Sequence, residues 1–404
     1  MPRLLFPGLI AALTLAACSD TSPHPTAPDP AQSATTQASV ASSSITASEQ
    51  WNLRTRMIIG RRATGPNDAA RAFALVSVAQ YDAVVAAGNA RARGVHASDA
   101  GAAATASAVV LAALYPVEQQ FIDSALTADA AYYPKLPSER ETSFASGGER
   151  GRAIAAAVLA RAATDGSTAI WTGTVPVGPG IWIPAPAPAK PQGALWGNVR
   201  PWLLSSGKQF RPSPPPAFGS PAEVDALAEV QHYSDTRTPE QLQIAQFWAT
   251  GAGPGGPAGY FGNLAVQLAG RQHLDERASA RMLAVLHMAI MDASIGCYDG
   301  KYFYWYIRPY QADLAITTPV ARPNFPSYPS AHSCLSSAAG RVLTGFFPAS
   351  ADTLHALVEQ AGVSRIYAGL HFRFDVDAGR QLGTSVGELA LKLAPNGHEP
   401  IRLQ

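Results

Sequence analysis

Apolar residues recur along most of the chain at the three- and four-residue spacing of an α-helix. This period predicts helices over about 68–87, 102–114, 117–132, 138–163, 221–233, 239–250, 259–272 and 276–298. No stretch shows the sustained alternation with β-branched residues that predicts a strand. The pattern therefore predicts an all-α chain built as a helical bundle.

Two of the predicted helices share one spacing of charged residues. An Ala-Arg pair is followed, after ten residues, by an Asp-Ala pair, once over 70–83 and again over 280–293. Two related bundles packed together would explain the echo, and coincidence in alanine-rich helices is the alternative. We expect Asp82 and Asp292 to be buried packing acids that pair with arginine or backbone groups of their own half.

The segment 164–220 has a different composition from the rest of the chain. Its many proline and glycine residues exclude long helices. Four tryptophans lie among them, at positions 171, 182, 196 and 202. So many large aromatic residues are not typical of a disordered linker, and we predict an ordered loop that wraps the bundle and lines the mouth of a site.

Composition limits the classes of partner. The chain has 404 residues, of which 47% are hydrophobic and 15% charged, and its formal net charge is +1. A chain so close to neutrality has no overall field that would attract nucleic acid. Any anion site must therefore be a local concentration of cations.

The first 18 residues are typical of an export signal, with Arg3 followed by a short apolar run. The run ends in Leu15-Ala-Ala-Cys18, which resembles the lipobox of bacterial lipoproteins. The resemblance implies lipidation of Cys18 and a position on the periplasmic side of a membrane, and Ser19 favours the outer membrane. An ordinary cleaved signal is the alternative.

The composition of the chain after the signal predicts a linker followed by one domain. Residues 19–50 are rich in small polar residues and predict a flexible linker between lipid and domain. Residues 51–404 form the predicted domain, with 51–220 as a supporting half and wrapping loop and 221–404 as a catalytic half. Cys297 and Cys334 could form a disulfide in an exported protein, but two buried thiols in helices is the favoured interpretation.

Three short pieces between residues 301 and 375 carry the candidate chemistry. The first holds Lys301 and Arg308, separated by a run of aromatic residues. A guanidinium can bind two oxygens of an oxyanion with its planar fork, and an ammonium adds a compact charge. By itself, this spacing also fits a solvated helix face.

The second piece holds Ser330, Ala331 and His332 in front of an amphipathic pattern over 335–346. Ser330 is placed to cap a helix, so the amides that follow it would form an anion site at the helix N-terminus. His332 lies in the same turn and can give or take a proton. A capping serine beside a surface histidine is the alternative.

The third piece holds Arg365, His371 and Asp375. The four-residue spacing of His371 and Asp375 would place them on one face of a helix. The carboxylate can then fix the imidazole tautomer and leave the other ring nitrogen free as a nucleophile or metal ligand. Glycines at 379, 383 and 387 leave a flat stripe where another helix can approach closely.

Together the three pieces resemble the signature of the type 2 phosphatidic acid phosphatase and vanadium haloperoxidase superfamily. The wider pattern, with its echoed helices and tryptophan-rich loop, resembles the bacterial vanadium-haloperoxidase-like branch. The sequence departs from the family at Ala331, where the family has glycine, and at Tyr298 and Ile307, where the branch often has tryptophan. The run from Phe325 to His332 is similar to that of chloroperoxidases, which makes Phe325 a candidate for the halide site.

The resemblance implies a role for each residue of the signature. His332 would be the acid or base, and Asp375 would support His371. His371 would bind vanadium axially in a haloperoxidase or attack phosphorus in a phosphatase. The oxyanion would be held by Lys301, Arg308, Ser330, Ala331 and Arg365.

Three functions remain open on these residues. The favoured one is a vanadate-dependent haloperoxidase that oxidises halide with hydrogen peroxide. The alternative is a periplasmic acid phosphatase that needs no cofactor and cleaves soluble phosphomonoesters through a phospho-His371 intermediate. We predict no membrane-spanning bundle of the kind that lipid phosphatases use. An inactive lipid-anchored binding protein is the third possibility, disfavoured because every cation and both histidines are present.

Overall fold

The computed structural model describes residues 45–185 and 190–401 and is all-α in these ranges, as predicted. The predicted signal peptide with Cys18, and the linker as far as residue 44, lie outside the described residues. The helices are α1 (Ala47–Arg61), α2 (Pro66–Arg91), α3 (Asp99–Leu114), α4 (Gln119–Tyr132), α5 (Phe144–Ala162), α6 (Pro221–Thr236), α7 (Pro239–Gln246), α8 (Gly256–Arg271), α9 (Glu276–Tyr304), α10 (Pro309–Ala312), α11 (Ala331–Phe346), α12 (Ala351–Tyr367) and α13 (Arg373–Leu393).

Two long apolar helices, α2 and α9, form the centre of the molecule and pack against each other. They run antiparallel, because Ser294 near the end of α9 bonds to Asn67 at the start of α2, while Arg277 at the start of α9 lies against Gly88 near the end of α2. One hydrophobic core lies between α2 and helices α3 to α5, and the other between α9 and helices α8 and α11 to α13. The predicted arrangement of two packed bundles is therefore confirmed.

The echoed aspartates tie the two halves together at opposite ends of this pair, whereas the echoed arginines bond within their own half. Arg71 donates to Asp165 in the wrapping loop, and Asp292 accepts the amides of residues 202–204 in the same loop. Arg281 donates to the carbonyl of residue 395, and Asp82 accepts the amide of residue 401. The expectation that each aspartate pairs within its own half was wrong. Because the helices are antiparallel, each aspartate reaches a segment from the other half of the chain.

Both central helices are long and apolar enough to cross a membrane by length and composition alone: Pro66–Arg91 and Glu276–Tyr304. In their most apolar windows, 89% and 94% of the residues are buried inside the protein. Their apolar surfaces are thus already covered by the two bundles.

The folded part begins earlier than predicted. The linker was expected to extend to residue 50, but α1 starts at Ala47 behind a Thr46 cap that bonds reciprocally with Glu49. Glu276, in the first turn of α9, accepts the amides of Ala47 and Ser48 at 2.7 and 2.8 Å. The first turn of α1 is therefore fixed by a contact that is 229 residues away in sequence and has no local signal.

The wrapping loop is ordered in its described parts, 163–185 and 190–220, as predicted. Trp182 and Trp196 are buried, and the indole of Trp196 donates to Ser294 on α9. The loop is also attached to the candidate site. Four tyrosine hydroxyls from the motif region donate to its carbonyls, namely those of Tyr302, Tyr304, Tyr306 and Tyr328.

Cys297 on α9 and Cys334 on α11 are both buried and both free thiols. The favoured interpretation, two small buried side chains in helices, is confirmed. The Cys297 thiol faces the carbonyl of Pro329 at 3.6 Å, so it lies directly behind the loop that leads into α11.

Candidate active site

The first two cations come from the end of α9 and the turn that follows it. Helix α9 extends to Tyr304, beyond the predicted end at residue 298, so Lys301 lies in its last turn. Trp305 then adopts a left-handed conformation with φ 52° and stops the helix. The chain reverses there, which brings Arg308 back to the region of Lys301 instead of two turns further along the axis.

Lys301 and Arg308 are fully buried and are surrounded by backbone carbonyls. The Lys301 ammonium donates to the carbonyls of residues 326, 327 and 329 at 3.0, 2.7 and 2.5 Å. Arg308 donates to the carbonyls of Phe325 and Leu370, and its Nη1 lies 3.3 Å from His371 Nε2. The two side chains therefore fix the loop 325–329 and approach the imidazole of the third piece.

Ser330 occupies the N-cap position of α11, as predicted, but its hydroxyl makes no capping bond. The Oγ atom is buried and has no partner in the described structure. Cys334 is the first residue of α11 whose amide bonds within the helix, to the Ser330 carbonyl. The amides of Ala331 and His332 precede it and have no helical acceptor. This end of α11 offers a hydroxyl and backbone donors to a group that is not part of the protein.

Ala331 is the first residue of α11 and is not among the residues with positive φ. An alanine fits a right-handed helical position without strain, so the position does not require glycine. The departure from the family at Ala331 therefore needs no unusual backbone angle.

His371 and Asp375 are in contact, although not through one helix face as predicted. His371 precedes α13, and Asp375 lies in its first turn, where it also accepts the amide of Phe372. The distance from His371 Nδ1 to Asp375 Oδ2 is 2.9 Å, and Ser327 donates to the same oxygen at 2.5 Å. An Nδ1–H that donates to the carboxylate leaves Nε2 unprotonated, beside Arg308.

The charges around His371 keep its ring neutral. Burial, and then the charges of Arg308, Lys301 and Arg365, hold the pKa of His371 well below its ordinary value. Burial raises the pKa of Asp375 to about 6, although the bond from Ser327 and the nearby Lys301 act in the opposite direction. The pair is thus a neutral imidazole supported by a carboxylate, with Nε2 as the free base.

His332 is held by a backbone carbonyl. Its Nε2 lies 2.9 Å from the carbonyl oxygen of Trp248. This carbonyl belongs to a π-helical turn, Phe247–Gly251, and the next amides, of Ala252 and Gly253, bond to residues 247 and 250 instead. Burial and the charge of Arg365 lower the pKa of His332 to about 3. A neutral ring that donates from Nε2 keeps Nδ1 as an acceptor.

The site as a whole has an excess of buried positive charge. Arg365 is 4% exposed, and its guanidinium donates to Ser364 and to the carbonyl of Ala245. Burial and the charge of Arg308 lower the pKa of Arg365 to about 9, and burial lowers that of Lys301 to about 8. Within the described ranges none of the three cations forms a salt bridge, and Asp375 is the one carboxylate among them.

Phe325 stands at the edge of the site. The centroid of its ring lies 5.1 Å from Lys301 Nζ and 5.1 Å from Arg308 Cζ. On another side the ring packs against Tyr298 at 5.4 Å. The structure thus brings all the predicted site residues of the three pieces together and places Phe325 beside two of the cations.

Two contributors were not identified from the sequence. Ser327 stands within the run that was compared with chloroperoxidases, but its bond to Asp375 had no signal of its own. Trp248 acts through its carbonyl, which any residue possesses, so no residue pattern could have indicated it.

Comparisons with known proteins agree with this fold. Residues 348–398 match the family model of the VCPO second helical-bundle domain, which includes the third piece of the site. Among solved structures, a bacterial vanadium-dependent iodoperoxidase aligns with a TM-score of 0.75 and 24% identity, over 86% of this chain and 97% of that chain.

The chain has the fold of the vanadium-dependent haloperoxidases. A bacterial vanadium-dependent chloroperoxidase also aligns, in its holo form, with a TM-score of 0.65 and 15% identity over 81% of this chain and 92% of that chain. Its apo form aligns with the same score over 80% of this chain. No curated protein sequence matches at a significant level. The predicted resemblance to the bacterial branch is thus confirmed for the fold.

Proposed function

We propose that the chain is a vanadate-dependent haloperoxidase that oxidises a halide with hydrogen peroxide. The observation that carries the proposal is the charge of the site. Three buried cations face one carboxylate, at a helix N-terminus where the Ser330 hydroxyl has no partner among the described residues. Buried charges are costly unless they are paired, so this arrangement is suited to a bound oxyanion.

The residues fit vanadate. Lys301, Arg308 and Arg365 would neutralise its charge, and the Ser330 hydroxyl and the amides at the start of α11 would donate to its oxygens. The unprotonated Nε2 of His371 is a donor atom of the type that transition metals bind. When bound, vanadate supplies the activation of peroxide toward two-electron oxidation of a halide.

Lys301 already uses its three donors on carbonyls. It therefore contributes mainly its charge and the position of the loop 325–329, and a direct bond to the anion would require the exchange of one carbonyl. Arg308 donates to the Phe325 carbonyl of this loop and also contacts the His371 ring. These two cations would hold the anion pocket in shape as well as neutralise its ligand.

His332 is suited to take a proton from an incoming peroxide molecule. Its Nε2 is occupied by the Trp248 carbonyl, so Nδ1 is the basic atom. In the protein alone its low pKa comes from burial and from Arg365. A bound anion would offset the charge of Arg365 and raise the pKa of His332, which would make the ring a better base once the site is loaded.

The same residues could bind the phosphoryl group of an ester, because vanadate and phosphate share their charge and shape. One preparation of the full chain separates the two functions. Vanadate is titrated into it while two reactions are followed. One is the formation of triiodide from iodide and peroxide, and the other is the hydrolysis of an aryl phosphate. A haloperoxidase gains iodide oxidation as vanadate is added. A phosphatase loses ester hydrolysis and gains no iodide oxidation, and that result would refute the proposal.

We also propose that the protein is exported and anchored by lipid at Cys18, on the basis of the N-terminal sequence alone. Expression of the gene in bacteria supplied with labelled palmitate tests this. The label should enter the unaltered protein and be absent from the variant Cys18→Ala. Equal labelling of both proteins, or of neither, would refute the anchor.

A further inference from the structure

A cleft of about 400 Å³ is lined in part by Phe325, whose ring centroid lies 5.1 Å from Lys301 Nζ and 5.1 Å from Arg308 Cζ. It is bounded by the start of α2, the wrapping loop and the end of α9. Four aromatic side chains line it, those of Trp171, Trp196, Tyr298 and Phe325. We call it the Phe325 cleft.

The rim of the Phe325 cleft is polar. Asp68, Lys190 and Gln192 line it with exposed side chains. Asp68 lies in the first turn of α2, and the nearby charge of Arg71 counters the rise in its pKa caused by burial. The cleft thus combines flat apolar walls with one carboxylate, one ammonium and one amide at its entrance.

The wrapping loop builds one wall of the cleft through a close approach. Gly193 has φ 70° and lies against the ring of Tyr298, where a Cβ atom would be 2.6 Å from the ring. Trp171, from the same loop, packs near Trp305 at a centroid distance of 6.2 Å. The position of the loop therefore depends on the aromatic run that also sets Lys301 and Arg308.

We propose that the Phe325 cleft binds the organic acceptor of halogenation and that this acceptor is an electron-rich aromatic molecule, such as a phenol. The halogenation step of this inference rests on the proposed function, whereas the binding test does not depend on it. Aromatic rings stack in offset or edge-to-face geometry, which suits walls made of indole and phenol rings. The Asp68 carboxylate can accept a hydrogen bond from the hydroxyl group of a phenol at the rim.

The chemistry of the proposed function is compatible with an acceptor of this class. The halide loses two electrons to peroxide and takes one of its oxygens, one proton is taken up from solvent, and hypohalous acid and one water are released. The electrophilic halogen forms a bond to a ring carbon, the C–H bond at that carbon breaks, and the proton leaves with the hydroxide as a second water. Phe325 lines the cleft and is also in contact with two of the cations, so a ring in the cleft would lie close to the place where the halogen is oxidised.

Binding is measured first, without vanadate, halide or peroxide. Equilibrium dialysis of 2-naphthol against the full chain should show one saturable site. Trp171→Ala removes one wall and should weaken binding at least about tenfold. Val177→Ala, on an exposed side chain of the same loop outside the cleft, is the matched control and should not change binding.

A second variant protects the test against a folding failure. Asp68→Asn alters an exposed side chain and should weaken binding of 2-naphthol severalfold, with a smaller effect on naphthalene, which lacks the hydroxyl. Absence of saturable binding, or equal affinity of the unaltered chain, Trp171→Ala and Asp68→Asn, would overturn the proposal. If Trp171→Ala does not fold, Asp68→Asn decides.

The reaction is measured second. With vanadate, bromide and peroxide, the KM for 2-naphthol should rise in Trp171→Ala by about the same factor as the dissociation constant, and an unchanged KM would contradict the cleft as the acceptor site. Triiodide formation by the unaltered chain, which needs no organic acceptor, tests the proposed function separately. The two failures are therefore distinguishable.

Discussion

Ser330 provides a buried hydroxyl that is available to bind a ligand. It is fully buried, yet its Oγ atom has no hydrogen-bond partner among the described residues. A buried hydroxyl without a partner costs stability, by about 1–3 kcal/mol. Such a cost is typical of functional sites, where a ligand supplies the missing partner.

We therefore expect Ser330→Ala to separate binding from stability. Its affinity for vanadate should fall about tenfold, because a hydrogen bond to a charged group is lost. The free energy of unfolding should stay the same or rise by up to about 1 kcal/mol. Vanadate titration and chemical denaturation measure the two quantities.

Ser336→Ala is the matched control, since this serine lies on the same helix and its hydroxyl is also buried without a partner. Six residues separate it from Ser330, about 9 Å along the helix. Its vanadate affinity should not change. Equal losses of affinity in both variants would contradict a specific role for Ser330.

At this scale the sequence predicted most of the site because the three pieces carry side chains of rare types at fixed spacing. It did not predict the groups that hold these side chains in place. Ser327 reaches Asp375 across 48 positions, and the partner of His332 is a backbone carbonyl 84 positions earlier. Contacts of this kind depend on how loops meet in three dimensions, which no local pattern reveals.

The helices α11 and α13 carry Ser330 and Asp375, and their spacing sets the distance between the two pieces. The glycines at 379, 383 and 387 face α11, as predicted. A Cβ atom at Gly383 would lie 2.2 Å from the carbonyl oxygen of Cys334. This neighbour is backbone and cannot move aside without displacement of a helix.

Gly383→Ala should therefore destabilise the protein by roughly 1–3 kcal/mol and weaken vanadate binding, because the two helices must separate. Denaturation and vanadate titration check the two effects. Gly296→Ala on α9 is the control, since its Cβ atom would meet no atom closer than 3.5 Å. Equal free energies of unfolding for Gly383→Ala and Gly296→Ala would contradict the close packing of α13 against α11 at Gly383.

Asp82 lies at one end of the pair of central helices α2 and α9. It is 2% exposed and accepts a hydrogen bond from the amide of residue 401. Burial raises the pKa of Asp82 from 3.8 to about 7. The folded chain thus binds this proton more tightly than the unfolded chain. The resulting stability is fully present below about pH 4 and is lost as the pH rises through about 7.

Asp82→Asn should remove this dependence, because an amide keeps the acceptor oxygen without a charge. Relative to the unaltered chain, the variant should gain roughly 1–3 kcal/mol in the free energy of unfolding at pH 8 and little at about pH 4. Chemical denaturation at the two pH values measures the difference. Asp377→Asn, at a more exposed carboxylate, should show no such gain, and an equal gain in both would refute the role of Asp82.

Helix positions were predictable, but several ends were not. The aromatic run after residue 298 has no clear apolar period, yet α9 continues through it to Tyr304 because the wrapping loop binds its tyrosine hydroxyls. The end of the linker was placed too late for a similar reason, since Glu276 from α9 fixes the first turn of α1. In both cases a distant segment determined the boundary.

The whole molecule is two helical bundles tied by a long loop around one cationic site. The loop binds α9 through the Trp196 indole and borders the Phe325 cleft. Its composition predicted order and a place at the site mouth, but not which tyrosines hold it. The fold is that of solved vanadium-dependent haloperoxidases across more than four fifths of the chain.

The most direct test of the central claim is the dependence of halide oxidation on vanadate in the full chain freed of bound oxyanion. Iodide oxidation by peroxide should rise with added vanadate and saturate at one vanadate per chain, and phosphate should compete. His371→Ala should lose the activity. Oxidation that is independent of vanadate, or unchanged in His371→Ala, would contradict the account.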